Sequence, residues 1–249
     1  MAHRVRLTTV AGGVTLIFAM AAAPAAAQDI SINFGQGGGG LTERVIQLIA
    51  LLTVLSLAPS ILVMMTSFTR IVVVLSLLRT ALGTATAPPN AVIIALALFL
   101  TAFVMGPALQ RSYDDGIRPL ANNEISVQQA FERSSGPLRT FMQKNVREKD
   151  LQLFTDLSAE PRPATPADMS LRILVPAFMI SELKRAFEIG FLLFLPFLII
   201  DLVVASVLMS MGMMMLPPVV VSLPFKLIFF VLVDGWSLVA GSLIQSYGT

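Results

Sequence analysis

Cysteine is absent from all 249 residues, and with it go disulfides, thiol nucleophiles, haem attachment and Cys-based zinc sites. Histidine occurs once, as His3, inside a segment that reads as removable. A His-ligated metal or a His general base is therefore excluded from the processed chain. Charge is scarce as well. Asp, Glu, Lys and Arg make up 13% of the residues, against about 25% in an ordinary soluble domain. Lys plus Arg number 17 and Asp plus Glu 15, so no broad basic field invites nucleic acid. Also missing are a phosphate-binding P-loop, a dinucleotide fingerprint and a His-Glu zinc motif. No Ser-His or Cys-His pair is available. An enzyme would have to work with carboxylates, lysine or serine alone, and no such constellation stands out. The expectation is a non-enzyme without cofactor or metal.

What the chain does have is apolar length. Hydrophobic residues make up 55% of it, gathered in long blocks as membrane insertion requires. Residues 1–27 read as a secretory signal peptide: Arg4 and Arg6 open it, an apolar run follows, and Ala25-Ala26-Ala27 offers a cleavage site between Ala27 and Gln28. The competing reading is an uncleaved anchor helix. Without Arg4 and Arg6 the basic residues balance the 15 acids. Residues 28–44 are polar and glycine-rich and read as a flexible leader.

Residues 45–110 hold two apolar segments, 45–65 and 91–109, expected as a first helical hairpin. Pro59 predicts a kink, and Pro88-Pro89 closes the arm between the segments. Residues 111–172 differ, with nine basic and nine acidic residues. Helical spacing from Val127 to Leu157 predicts a small helical insert, with Gly136-Pro137 dividing two helices. Residues 173–249 hold two more apolar segments, 173–211 and 216–243, expected as a second hairpin joined by a methionine-rich turn. The expected fold is thus all-α, an integral-membrane arrangement of bent hairpins from four apolar segments plus the insert. Arg70 and Arg79, with no acid near them, put the 66–90 stretch on the cytoplasmic side. The insert then lies in the periplasm.

Charges inside apolar segments are costly and face protein or water. Glu182, Asp201, Lys226 and Asp234 are such charges, expected to be buried against protein or to face water. Glu182 with Arg185 and Lys184 with Glu188 have the spacing for pairing on one helix. The other reading is that Lys226 pairs with Asp201 or Glu182 between copies of the chain. Of 13 methionines, five lie between Met209 and Met215. Such a run is packing material in most settings. At a turn in a symmetric oligomer it could also ring a pore with soft apolar side chains.

Several strings resemble the FliP family of flagellar type III export-gate proteins. They include Met64-Met65-Thr66-Ser67-Phe68-Thr69-Arg70-Ile71, Leu78-Arg79-Thr80-Ala81-Leu82-Gly83 and Ala87-Pro88-Pro89-Asn90. Further on come Pro176-Ala177-Phe178-Met179-Ile180-Ser181-Glu182-Leu183-Lys184, Leu195-Pro196-Phe197-Leu198-Ile199-Ile200-Asp201, Leu223-Pro224-Phe225-Lys226 and Val233-Asp234-Gly235-Trp236. The resemblance implies a helical oligomeric pore of several copies assembled with FliQ and FliR. Those would work beside FlhB and other flagellar export proteins at the inner-membrane basal body and pass unfolded flagellar subunits outward. It implies a pore gasket at Met213, Met214 and Met215, and an inter-subunit charge pair of Glu182 with Lys226. It also implies pore aromatics at Phe141 and Phe154 in the periplasmic helices, helices broken near Pro59, Pro88-Pro89, Pro196 and Pro217-Pro218, and Arg70, Asp201 and Lys226 buried in protein or lining a wet interior. The equivalent subunit of a virulence injectisome is the near alternative. A small ion channel or proton-coupled carrier is the alternative from another class.

Overall fold

The structure is a computed structural model. It describes residues 63–158, 169–213 and 215–248, with scattered positions between 45 and 60. The chain divides into the units Met1–Ala50 and Leu51–Thr249, and the architecture below is that of the second. The expected signal peptide with its Ala27–Gln28 junction, the glycine-rich leader, Pro59 and Met214 lie outside the described residues.

The described residues are helical, with no strand among them. In order they form α1 (Phe68–Leu82), α2 (Asn90–Ser112), a π-turn (Tyr113–Ile117) and the short α3 (Arg118–Ala121). Then come α4 (Val127–Asn145), α5 (Glu148–Leu157), α6 (Leu171–Ser210), α7 (Pro218–Leu232) and α8 (Gly235–Gln245). Local chemistry explains the boundaries. α1 stops at Gly83, whose φ of 78° suits a left-handed cap. α4 opens on a capping box, in which the Gln129 N–H donates to Ser126 Oγ and the Gln129 side chain accepts from the Ser126 N–H. α6 opens on Ser170, whose Oγ accepts the Arg172 N–H at 3.3 Å. Pro218 takes the first position of α7, where its missing N–H costs nothing.

Proline breaks the helices less often than the sequence predicts. α4 runs through Pro137, and α6 runs unbroken through Pro176 and Pro196. A proline removes one intrahelical bond and crowds the carbonyl one turn back. Here the neighbouring turns are held by burial: Leu138 beside Pro137 and Phe197 beside Pro196 both sit in the core. The insert divides instead at Val146, where the backbone is extended at φ −70° and ψ 143°.

One break the apolar pattern does not signal is at Val233–Asp234. There α7 and α8 meet at 64°. Asp234 takes a left-handed φ of 50°. A Cβ on Gly235 would stand 2.2 Å from Phe230 Cε2, so the corner needs glycine.

Two helical stretches, Asn90–Ala121 and Leu171–Ser210, are long and apolar enough to cross a membrane, and the bent pair α7–α8 makes a third if it counts as one span. The expected segment 45–65 falls largely outside the described residues, and α1 has only 15. At 1.5 Å per residue, the 40 residues of α6 extend about 60 Å, roughly twice the hydrocarbon thickness. Only 11% of its most apolar stretch is buried within the chain, so the rest must be covered by lipid or by other protein.

Two cores hold the unit together. In the first, Ile71, Val74 and Leu78 of α1 meet Ala97 of α2, Ala186 of α6, Phe230 of α7 and Leu243 of α8. In the second, Leu138 and Met142 of α4 close over Met105, Leu174 and Phe178. The insert therefore builds no core of its own. It packs on the ends of α2 and α6.

Candidate functional site

Arg70 lies in the first turn of α1 and Glu182 in the fourth turn of α6. Packing of α1 along α6 brings them together. Arg70 Nε donates to Glu182 Oε2 at 3.0 Å and Nη2 donates to Oε1. Both side chains are fully buried. The remaining guanidinium edge is also met, since Nη1 donates to Ser246 Oγ at 2.9 Å and to the Ser246 carbonyl at 3.3 Å. Tyr247 lies flat against the cation, its ring centre 3.8 Å from Arg70 Cζ. Its hydroxyl donates to Glu182 Oε2, and its ring stacks on Phe141 at 5.7 Å. Burial, and after it the Glu182 charge, push the Tyr247 phenol up, so it stays a donor.

This geometry overturns the expected local pair of Glu182 with Arg185, because Arg70 occupies both carboxylate oxygens. Lys184 and Glu188 do approach, at 3.9 Å, but both are exposed and such a pair contributes little. Arg79 points elsewhere, donating to Asn90 Oδ1 at 2.6 Å and the Pro88 carbonyl at 3.3 Å.

The second charge cluster joins α1, α6 and α7. Lys226 Nζ donates to Asp201 Oδ2 at 2.6 Å and to the Ala81 carbonyl at 3.1 Å. Ser222 Oγ donates to Asp201 Oδ1 at 2.5 Å. Ala81 belongs to the last turn of α1, so the buried ammonium also meets the negative end of that helix. Within one chain, then, Glu182 and Lys226 are not brought together, and each has its charge met by another in-chain partner. Of the charges expected to be buried, Asp201 is partly exposed and Asp234 exposed. Asp234 occupies the α7–α8 corner, with a left-handed backbone at φ 50°.

The methionine turn is the tip between α6 and α7. Met213 is 42% and Met215 98% exposed, while Met214 lies outside the described residues. Below the tip an open apolar cleft of about 480 Å³ runs between the two helices, lined by Val203, Val207, Val221 and Phe225 among others. Phe141 and Phe154 do not stand free. Phe141 sits edge-on to Phe178 at 5.9 Å, and both pack against the second core. Among the described residues no three His, Cys, Asp or Glu side chains gather as a metal would need.

Sequence reasoning missed three participants. Ser246 and Tyr247 carry no periodic signal, since they lie past the last apolar block. Ser181 was seen only as part of a string. Its Oγ donates to Asp150 Oδ2 at 2.6 Å and accepts the Arg147 N–H at 3.0 Å, which ties α5 to α6.

Fold and site together define a class: a protein helical throughout its described residues, with apolar helices long enough to cross a bilayer and interior charges held in ion pairs between helices. The FliP family model matches residues 51–243. The chain is 65% identical over 228 residues to the flagellar biosynthetic protein FliP of Caulobacter vibrioides, covering 92% of this chain and 85% of that one. It is 57% identical to that of Pectobacterium carotovorum over 84% of this chain and 81% of the relative. For Bacillus subtilis the identity is 55%, over 81% and 91% respectively. The chain belongs to the FliP family.

Proposed function

We propose that this chain is a pore-forming core subunit of the flagellar type III export gate, passing unfolded flagellar subunits across the bacterial inner membrane at the basal body. The observation that carries the reading is the methionine tip. It presents flexible apolar side chains at the end of a hairpin whose flanks are themselves apolar and open. Several such tips around one axis make a soft constriction that excludes water and ions yet yields to a passing chain. The residues of that gasket are Met213, Met214 and Met215. The relatives, each called a flagellar biosynthetic protein, support the flagellar branch over the injectisome.

In this reading the exposed apolar flanks of α2, α6 and α7 meet other copies, FliQ and FliR, with FlhB and the rest of the export apparatus nearby. Segment 45–65 completes the four apolar segments, the insert faces the periplasm with Phe141 and Phe154, and the signal is removed after Ala27. The fully buried Arg70–Glu182 pair and the partly exposed Lys226–Asp201 pair hold each copy's own helices together. A Glu182–Lys226 pair between copies would require both residues to leave their in-chain partners.

The test is ion leak across membranes carrying the assembled complex. Replacing Met213, Met214 and Met215 together with glycine is expected to raise conductance while assembly persists. Unchanged conductance in a correctly assembled complex contradicts the gasket.

A further inference from the structure

Helix α8 is attached by different chemistry at its two ends. At one end it leaves α7 through the 64° corner, where Asp234 holds a φ of 50° and Gly235 fits under the Phe230 ring. At the other end Ser246 and Tyr247 reach into the most buried charges of the unit. Between these ends one face is packed, through Val239 and Leu243, and the other is open, with Leu238 at 62% exposure.

The far end is where the arrangement goes beyond ordinary packing. Arg70 gives two contacts to Glu182 and two to Ser246. Tyr247 covers the face of the same guanidinium and donates to Glu182. If α8 lifts, a fully buried guanidinium loses its two Ser246 acceptors and its aromatic face, and the carboxylate loses a donor. These losses arrive together, so intermediate positions of the helix are disfavoured. The same tyrosine also stacks on Phe141 of α4, so the insert feels the same event.

We infer that α8 is a latched arm. Ser246 and Tyr247 clasp it onto the Arg70–Glu182 pair and onto Phe141 of the insert. Its release is a pivot at Val233–Asp234 that leaves the rest of the unit folded. The device links three parts of the chain that the sequence keeps far apart: α1, the first third of α6 and the insert. It does not depend on the export-gate reading.

Because the chain has no cysteine, two reporters can be placed cleanly. Val239→Cys sits on the packed face of α8 and Val74→Cys in α1, both buried and both near-isosteric. The full-length chain in its native membranes is labelled with a membrane-permeant maleimide, with and without Tyr247→Ala. The latch predicts that Tyr247→Ala raises labelling at Val239→Cys by about tenfold, as for a local opening, and leaves Val74→Cys protected. Equal rises at both reporters mean the whole unit has loosened, and they overturn the latch. No rise at Val239→Cys overturns it too. Should Tyr247→Ala fail to accumulate, Tyr247→Phe and Ser246→Ala each remove one polar contact, and the same ratio between reporters decides.

Discussion

Arg70 and Glu182 stand 112 residues apart in sequence and share two hydrogen bonds with no side-chain surface exposed. A pair so placed is less a source of stability than a condition on the fold. Two charges gain little net energy from burial, but one charge left alone costs a great deal. Arg70→Met or Glu182→Leu alone is therefore expected to destabilise the chain by about 3–5 kcal/mol. The double substitution is expected to recover most of that loss. Thermal unfolding of the purified chain in mild detergent checks both. Additive losses in the double variant would mean that the two residues act apart.

The second pair discriminates between partners. Lys226→Glu places a carboxylate against Asp201 and is expected to reduce the amount of folded chain in membranes severalfold. Adding Asp201→Lys should restore more of it than adding Glu182→Lys. The opposite order would favour a Glu182–Lys226 contact between copies, and immunoblotting of membrane fractions reads either result.

The α7–α8 corner gives a steric prediction. Gly235→Ala drives a methyl group into the Phe230 ring, and the ring is itself buried. The expected cost is about 1–3 kcal/mol, typical of overpacking. Phe230→Leu in the same chain should relieve part of it, as unfolding temperatures of the two variants will report.

Tyr247 gives a pH dependence. Its phenol is raised from an ordinary value of 10.0 by burial and then by Glu182, with Arg70 and Arg185 opposing. A group that binds its proton more tightly in the folded state contributes stability in full below its unfolded value. The contribution is lost as pH rises above that value. The melting temperature should therefore fall faster above about pH 10 in the parent than in Tyr247→Phe. Identical slopes in the two chains would show that the tyrosine plays no part.

Much of this fold is legible in the residues, for definite reasons. The apolar run from Ile173 to Met211 reads as helix, and α6 runs from Leu171 to Ser210. The stretch 127–157 has helical spacing, and α4 and α5 fill it. Proline was the misleading signal. Pro137 and Pro196 weaken single turns, but burial of the adjoining Leu138 and Phe197 outweighs that local cost. The α7–α8 corner was hidden for the converse reason. Asp234-Gly235 interrupts an apolar run by only two residues, and the bend depends on the fit of Gly235 to Phe230. Charge pairing was the least legible feature. Spacing along one helix offers Arg185 to Glu182, whereas the true partner arrives from another helix. Ser246 and Tyr247 were invisible because nothing local marks a residue that closes a distant pair.

As proposed above, this chain works as one of several copies in a membrane-embedded export pore. Native mass spectrometry of the tagged full-length chain tests it most directly, after co-expression with FliQ and FliR and purification in mild detergent. The expected result is a discrete hetero-oligomer holding several copies of this chain, with residues 1–27 absent. A monomer or simple dimer without a partner would contradict it and leave the methionine turn as ordinary packing.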